Sequence, residues 1–300
     1  MILRSLPHSW ALLFILRGSI VPIVAPRVIA VALLGAVVVL IDRRWPHVMP
    51  EFPLGGFALF GLALSVFLGF RNNACYDRWW EGRKQWGRLI IEMRGLAREA
   101  GALLGPRPVL LRLGIGYTHA LCARLRKRDV VAAATPWLPP AIAATLPTSP
   151  NPPDAILRAM NAELVAAWRD GALTDILYRG LEARLTGLSE VQAACERIVT
   201  TPLPFAYTLL LHRTAFLFCL LVPFGMVSAM GLGTPLVAAL LAYAFFGLDA
   251  LGDQLEEPFG EEPNDLPLDA MTRMVEIELR AASGETDLPA PLVPVRYYLG

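Results

Sequence analysis

The stretch PLGGFALFGLALSVFLGFRNNACYDRWWEGRKQWGRLI, residues 53–90, joins an uncharged apolar run to a polar one. Its first 18 residues, Pro53 to Phe70, carry no charge, and the polar part begins at Arg71. A helix needs about 20 apolar residues to cross the hydrocarbon core of a bilayer. The stretch therefore predicts a transmembrane helix that leaves the bilayer at Arg71 and continues beyond it. Anchors at the membrane surface are expected at three tryptophans, Trp79, Trp80 and Trp86.

The composition of the whole chain agrees with a membrane protein. Of its 300 residues, 55% are hydrophobic and 18% are charged, and the mean hydropathy is +0.49. Soluble globular proteins carry about 45–50% apolar and about 25% charged residues. This excess of apolar residues argues against an ordinary cytosolic enzyme and excludes a disordered chain. The net charge of +1 gives no reason to expect nucleic acid as a partner.

Three more apolar runs are candidate membrane spans: Val28 to Ile41, Thr214 to Met230 and Pro235 to Leu248. For any single run, a buried helix of a soluble protein is the alternative. Four such runs in a chain of this composition favour four transmembrane helices. Residues 7–20 lack the cleavage site of a signal peptide and predict a helix at the membrane surface.

These spans divide the chain into five predicted segments of an all-α membrane protein. They are an N-terminal cytosolic or interfacial helix (1–27), transmembrane helices 1 and 2 (28–70), a helical cytosolic domain (71–204), transmembrane helices 3 and 4 (205–251) and a cytosolic C-terminal segment (252–300). No repeat and no strand pattern is found.

The distribution of basic residues predicts the orientation. Residues 71–204 hold 18 of the 27 Lys and Arg residues, and positive charge favours the cytoplasmic side. With an even number of spans, both termini lie on that same side. Arg43 and Arg44, in the short outer loop 42–52, argue against this orientation but are outnumbered.

Small residues recur every four positions along the second span, at Gly61, Ser65 and Gly69. Such a face lets helices approach closely in lipid. No comparable face occurs elsewhere in the chain, so its partner is predicted to lie on another subunit of a homo-oligomer.

A second stripe lies one residue further on, at Leu62, Val66 and Phe70. If copies of the span surround an axis, these residues form three stacked apolar collars, and such constrictions gate ions by dewetting. Periodicity alone favours the simpler interpretation that they pack against the other spans.

The sequence shows no recognisable catalytic site. No GxSxG, HExxH, Walker or GxGxxG motif occurs. Four histidines are scattered without ligand spacing, at His8, His47, His119 and His212, and are interpreted as packing residues. Four cysteines, Cys75, Cys122, Cys195 and Cys219, show no CxxC spacing and are expected to be reduced and mostly buried. The chain is therefore not predicted to be an enzyme.

Three long blocks carry a family resemblance. They are FRNNACYDRWWEGRKQWG (70–87), CERIVTTPLPFAYTLLLHRTAFLFCLLVPFG (195–225) and YAFFGLDALGDQLEEPFGEEPNDLPLD (243–269). In order and spacing they resemble the bestrophin family of ion channels in its bacterial form, over nearly the whole chain.

This resemblance implies a homopentamer in the bacterial inner membrane with one central pore. Family usage implies that the permeant monovalent ions are chloride or other anions. The neck residues of the family correspond to Leu62, Val66 and Phe70, and a cytosolic aperture corresponds to Ile176. The resemblance thus favours a pore stripe over mere packing.

The acidic run after the fourth span departs from the animal members, in which such residues help to bind calcium. Its weak candidate ligands are Glu261, Glu262, Asp265 and Asp269. Calcium takes 6–8 oxygens, and two prolines interrupt this run. We expect no metal or other cofactor, and a solvated acidic turn that caps the helix starting at Leu266.

Two alternatives stay open at this stage. A sodium-selective channel of the same fold would suit the acidic residues near the cytosolic exit, namely Glu256, Glu257, Glu261 and Glu262. A secondary transporter would need charged or broken spans at mid-membrane. Pro223 and Gly225 interrupt the third span, but no acid lies at the midplane of the first three. A membrane scaffold without transport is disfavoured by the resemblance alone.

Overall fold

The protein is helical throughout the part of the chain that its computed structural model describes, residues 1–4, 8–12, 14–45 and 54–300. The α-helices there are α1 (Ser9–Leu12), α2 (Val21–Arg44), α3 (Leu54–Leu104), α4 (Pro108–Leu125), α5 (Val130–Ala134), α6 (Pro140–Ala143), α7 (Pro152–Arg169), α8 (Asp175–Thr200), α9 (Phe205–Met230), α10 (Thr234–Glu256) and α11 (Leu268–Ala282). Among these residues only isolated β-bridges occur, at Ile2–Tyr298 and Val295–Tyr298. The predicted all-α fold is confirmed. Most of the predicted outer loop 42–52, including His47, lies outside the described residues.

Three helical segments are long and apolar enough to cross a membrane: Val21–Arg44, Gly55–Leu104 and Phe205–Glu256. The third holds two helices, α9 and α10, because a 3-10 turn at Gly231–Gly233 separates them. Gly231 has φ of 52°, a left-handed conformation that glycine adopts without strain. At 1.5 Å per residue, each of the four helices is about 30 Å long or more, which matches the hydrocarbon core.

The chain divides into two compact units. The apolar unit comprises residues 5–79 and 202–257, and the second unit comprises residues 1–4, 80–201 and 258–300. The long helix α3 contributes its first part to the apolar unit and its remainder to the second unit. The first four residues group with the C-terminal segment, because the Met1 amine donates a hydrogen bond to the Leu299 carbonyl at 2.6 Å.

The helices of the apolar unit alternate in direction. Phe218 of α9 packs edge-on against Phe245 of α10 with ring centroids 5.0 Å apart, and Phe216 packs on Phe246 at 4.7 Å. As residue numbers rise along α9 they fall along α10, so the two helices are antiparallel. The contacts between α3 and α9 and those between α2 and α10 also run in opposite directions along the two helices, so each of these pairs is antiparallel as well. Buried core residues of this unit include Val31, Leu64, Leu68, Ala215, Cys219, Val222 and Ala242.

The first span starts earlier than its apolar run suggests. Helix α2 begins at Val21 and not at Val28, with Pro22 in its first turn, where the missing N–H costs nothing. Arg27 is accommodated within the helix because its guanidinium lies over the Phe216 ring, 5.1 Å from the centroid. Among the described residues of the predicted surface helix 7–20, helical structure before α2 is confined to α1, so this helix is shorter than expected.

The second unit has a core centred on α4. Tyr117 is fully buried, and its hydroxyl donates a hydrogen bond to the Leu188 carbonyl at 2.8 Å. Trp86 is also fully buried, so its prediction as an anchor at the membrane surface is wrong. The four cysteines are free and buried, as predicted. Residues 132–153 contain the end of α5, α6, two 3-10 turns and the start of α7.

Close packing between α3 and α9 depends on Gly225, since a Cβ atom there would overlap the Phe57 ring. We expect Gly225→Ala to lower the free energy of unfolding by about 1–3 kcal/mol through overpacking. Gly180→Ala is the control, because a Cβ atom at Gly180 meets nothing within 4 Å. Unfolding in detergent, followed by circular dichroism, measures both variants, and equal stability of the two would contradict this packing.

Candidate functional site

The stripe Leu62, Val66 and Phe70 lies exposed on α3, with 63%, 47% and 60% of the respective residue surfaces accessible. The buried face of the same helix is formed by Leu64, Leu68, Arg71 and Cys75. With about 100° of rotation per residue, the centres of these two faces are about 170° apart. The apolar stripe therefore points away from the core of its own subunit. A pore-lining face needs this orientation.

The small-residue face behaves differently at its two ends. A Cβ atom on Gly61 would lie 3.0 Å from Cζ of Phe218, so α9 of the same chain already packs there. A Cβ atom on Gly69 would meet nothing within 4 Å. Between them, the Ser65 hydroxyl donates to the Gly61 carbonyl of its own helix at 2.8 Å. The expectation that this whole face lacks a partner within the chain is wrong at Gly61.

The difference between Gly61 and Gly69 follows from the four-residue spacing. Each step of four residues advances about 40° around an α-helix. Gly61 consequently lies beside the buried face of α3, whereas Gly69 lies beside the exposed stripe. Of the two glycines, only Gly69 remains open to a neighbouring helix.

A charge cluster lies directly after the stripe. Arg71 is fully buried, and its Nη1 donates to Asp249 Oδ1 of α10 at 3.0 Å. Its Nη2 lies 2.5 Å from Asp253 Oδ1 and 3.5 Å from Glu256 Oε2. His212 Nδ1 of α9 lies 2.6 Å from the second oxygen of Asp249. Arg71 thus links α3 to α10, and Asp249 links α10 to α9.

Sequence reasoning missed this cluster. It treated His212 as a histidine without a carboxylate partner, although Asp249 contacts it. A signal was present, because Asp249, Asp253 and Glu256 recur at a spacing that places them on one face of α10. An arginine at the end of a neighbouring span is a suitable partner for such a face.

The backbone at Gly252 allows this arginine to approach α10. A Cβ atom there would lie 2.6 Å from Asn72 Oδ1 and 3.1 Å from Arg71 Nη1. Because Arg71 directly follows Phe70, its ion pairs restrict the rotation of α3 and so the direction in which the stripe points.

The acidic run near the C-terminus is engaged by arginines. Asp269 pairs with Arg126 at 2.5 Å and with Arg128 at 2.9 Å, and Arg128 also contacts Glu261 at 2.5 Å. Burial alone would raise the pKa of Asp269, but hydrogen bonds from Arg128 and the charge of Arg126 hold it below its ordinary value. These arginines therefore favour the charged form of Asp269.

Asp265 has a different role in the same segment. Its carboxylate is buried and accepts a hydrogen bond from the Glu262 amide at 2.8 Å. Burial raises the pKa of Asp265 to about 6. Its side chain thus holds the turn before α11 together.

The expected solvated turn is wrong in two respects. Asp265 is buried, and α11 begins at Leu268 after Pro267, with no side-chain hydrogen bond capping its first turn. Within the described ranges, no group of three His, Cys, Asp or Glu side chains could hold a metal ion.

Ile176 lies in the first turn of α8 and is 82% exposed. The hydroxyl of Thr174 accepts a hydrogen bond from the Leu177 amide at 3.4 Å, which caps this helix end. The side chain of Ile176 is therefore available for contacts outside its subunit, and its assignment to a cytosolic aperture stays a prediction.

The charge cluster makes a direct prediction for stability. Arg71→Met leaves the buried Asp249 without its arginine partner, and we expect a loss of about 3–5 kcal/mol in the free energy of unfolding. Arg158→Met is the control, because Arg158 forms an exposed pair with Asp154 that contributes about 1 kcal/mol or less. Denaturant unfolding in detergent compares the two. Similar losses for both variants would mean that the cluster is not buried.

Comparison with known proteins gives a consistent picture. Residues 1–281 match a family model described as bacterial/fungal bestrophin protein. A voltage-dependent anion channel-forming protein of Mesorhizobium japonicum is 44% identical, with 99% of this chain and 96% of that protein covered. A protein of the same description from Escherichia coli strain K12 is 39% identical, with 99% of each covered. A crystal structure of a bacterial bestrophin homolog from Klebsiella pneumoniae has 34% identity and a TM-score of 0.83, over 86% of this chain and 98% of that chain.

The match covers nearly the whole chain, and relatives well above 30% identity align from end to end. Sequence motifs, helical architecture and comparisons agree. The chain belongs to the bacterial and fungal bestrophin family.

Proposed function

We propose that the chain is one subunit of a pentameric ion channel that passes small monovalent anions through a neck formed by Leu62, Val66 and Phe70. The observation that carries this proposal is the exposed apolar stripe of α3, opposite the face that packs in its own subunit. Members of this family form oligomeric channels. Assembly around an axis places the stripe along a central pore, an environment that an isolated subunit does not provide.

The neck restricts ions because it lacks polar groups that could replace their hydration. The three side chains offer no hydrogen-bond partner to an ion, so passage requires partial dehydration or a wetted state of the neck. Phe70 is the only aromatic member of the stripe. Aromatic ring edges carry partial positive charge, which favours anions at that collar.

The anion preference is supported by the relatives, which are described as voltage-dependent anion channel-forming proteins. The case for a sodium channel relied on acidic residues near the cytosolic exit. Two of these acids have arginine partners, because Glu256 contacts Arg71 and Glu261 contacts Arg128. Arg128 offsets the charge of Glu261, whereas Arg71 is shared among three carboxylates and offsets the charge of Glu256 only in part, so that alternative is weakened chiefly at Glu261.

A secondary transporter is likewise less well supported. Transporter sites commonly use helices that are broken near the membrane midplane. Helix α9 runs from Phe205 to Met230 without a break, although it includes Pro223.

We also propose that the channel works without calcium, since Asp269 and Glu261 are engaged by arginines. Currents that disappear in a calcium chelator and return at micromolar calcium would contradict this.

The location that we propose is the bacterial inner membrane, with both termini in the cytoplasm. Two observations support it: the excess of basic residues in 71–204, and the antiparallel contact of the first residues with the last, in which Leu3 N donates to the Tyr297 carbonyl at 2.8 Å. Termini that pair must lie on the same side.

A reporter that is active only outside the inner membrane tests this topology. We expect it to be silent when fused after Gly300 and active when inserted near His47. The reverse pattern would overturn the orientation.

The neck predicts a gain of current on truncation. In Leu62→Ala, Val66→Ala or Phe70→Ala, the local radius increases and wetting becomes easier, so we expect larger single-channel currents in planar bilayers, with the largest increase at the narrowest collar. Phe70→Ala should also reduce the permeability of anions relative to cations, because the aromatic edges are lost. Ile176→Ala should change the current less, since a single ring outside the bilayer is altered.

The matched control is Leu240→Ala, which truncates an exposed leucine of α10 away from this stripe. Its currents should equal those of the unmodified protein. Unchanged currents in all three neck variants, with normal assembly by native mass spectrometry, would mean that the pore lies elsewhere. A mass other than five subunits would overturn the pentamer.

A further inference from the structure

The stripe on α3 continues beyond the apolar residues. Asn73 and Asp77 are both exposed, and α3 is unbroken across them. With about 100° of rotation per residue, both fall within the arc of about 80° that contains Leu62, Val66 and Phe70. A helix that turns this arc towards a pore therefore presents first three apolar side chains, then an amide, then a carboxylate.

Three basic residues of α3 near Asp77 have partners. Arg71 is paired with Asp249, and Arg78 Nε donates to the Glu256 carbonyl at 3.1 Å. Further along α3, Lys84 pairs with Glu81 at 2.7 Å. Asp77 itself makes no ion pair and no hydrogen bond through its side chain to any residue that the structure describes. It is therefore the first charged residue of the stripe after Phe70, and its charge is not neutralised within the described subunit.

We propose that Asp77 is a selectivity-determining residue of the channel, which places a ring of carboxylates at the end of the neck beyond Phe70. This inference rests on the proposed function, because only a stripe that faces the axis brings Asp77 to the pore. A ring of unpaired carboxylates raises the local concentration of cations and lowers that of anions. Asp77 thus opposes the anion preference of the neck and limits how strongly the channel discriminates between the two.

The distance makes this effect dependent on salt. Asp77 lies seven positions after Phe70, which is about 10 Å along the helix axis. The Debye length is about 10 Å at 0.1 M salt and about 3 Å at 1 M. The field of the ring reaches the last collar at the lower concentration and is screened at the higher one. A change that merely altered the shape of the pore would not follow ionic strength in this way.

Reversal potentials in a potassium chloride gradient test the proposal. Asp77→Asn removes the charge at nearly constant volume. We expect its ratio of anion to cation permeability to rise several-fold around 0.1 M salt and to approach that of the unmodified protein around 1 M. Glu163→Gln is the control, since Glu163 is exposed on α7 and has no ion pair among the described residues. An unchanged ratio in Asp77→Asn, or a change of equal size at both salt concentrations, would overturn the proposal.

A second variant tests the charge in channels that are already assembled. The four native cysteines are buried, so Asp77→Cys provides one exposed thiol for labelling. A negatively charged sulfonatoethyl methanethiosulfonate should return the permeability ratio towards its original value. The positively charged trimethylammonium reagent should move it further towards anions. The same ratio with both reagents would overturn the role of Asp77.

The experiments on Asp77 and those on the neck variants can fail independently of each other. If the neck variants change the current while Asp77→Cys responds equally to both reagents, the neck is supported and the role of Asp77 is wrong. If the neck variants carry unchanged currents, the proposed pore itself is wrong.

Discussion

The buried guanidinium of Arg71 is the interaction on which the apolar unit depends. A charge removed from water costs several kcal/mol, and only complete pairing compensates for it. Asp249 and Asp253 of α10 provide that pairing at 3.0 and 2.5 Å, and His212 of α9 contacts the remaining oxygen of Asp249. Because an incomplete set is strongly unfavourable, the three helices must meet in one register. That register determines which face of α3 is left uncovered.

The uncovered face explains why the chain functions as a subunit. Helix α3 buries the side that carries Leu64 and Leu68, and it leaves Leu62, Val66 and Phe70 exposed on the opposite side. Beyond Arg71, where the helix is predicted to leave the bilayer, polar residues continue this stripe. An axis shared by several copies provides an apolar neck for the first part of the stripe and a hydrated pore opening for the polar residues that follow.

Arginine and carboxylate pairs recur in the second unit with another consequence. Arg126 and Arg128 hold Asp269 and Glu261, in the segment where related animal proteins use acidic residues for calcium. Each carboxylate oxygen that accepts from a guanidinium is less available as a metal ligand. The same pairing weakens the argument that acidic residues near this segment attract cations.

Much of this protein follows from its sequence. Hydropathy and charge predict the spans and a helical domain between the second and the third, and three long motifs identify the family together with the stripe on α3. Only the tertiary structure showed which residues pair or pack with one another. Arg71 and Asp249 are far apart in sequence, so local patterns do not show that they meet. Gly61 and Gly69 look equivalent by spacing, yet Phe218 covers only the first. Trp86 and the acids Glu261, Asp265 and Asp269 match surface patterns but are buried or ion-paired, because burial depends on which helices pack around a residue and not on its own neighbours in the chain.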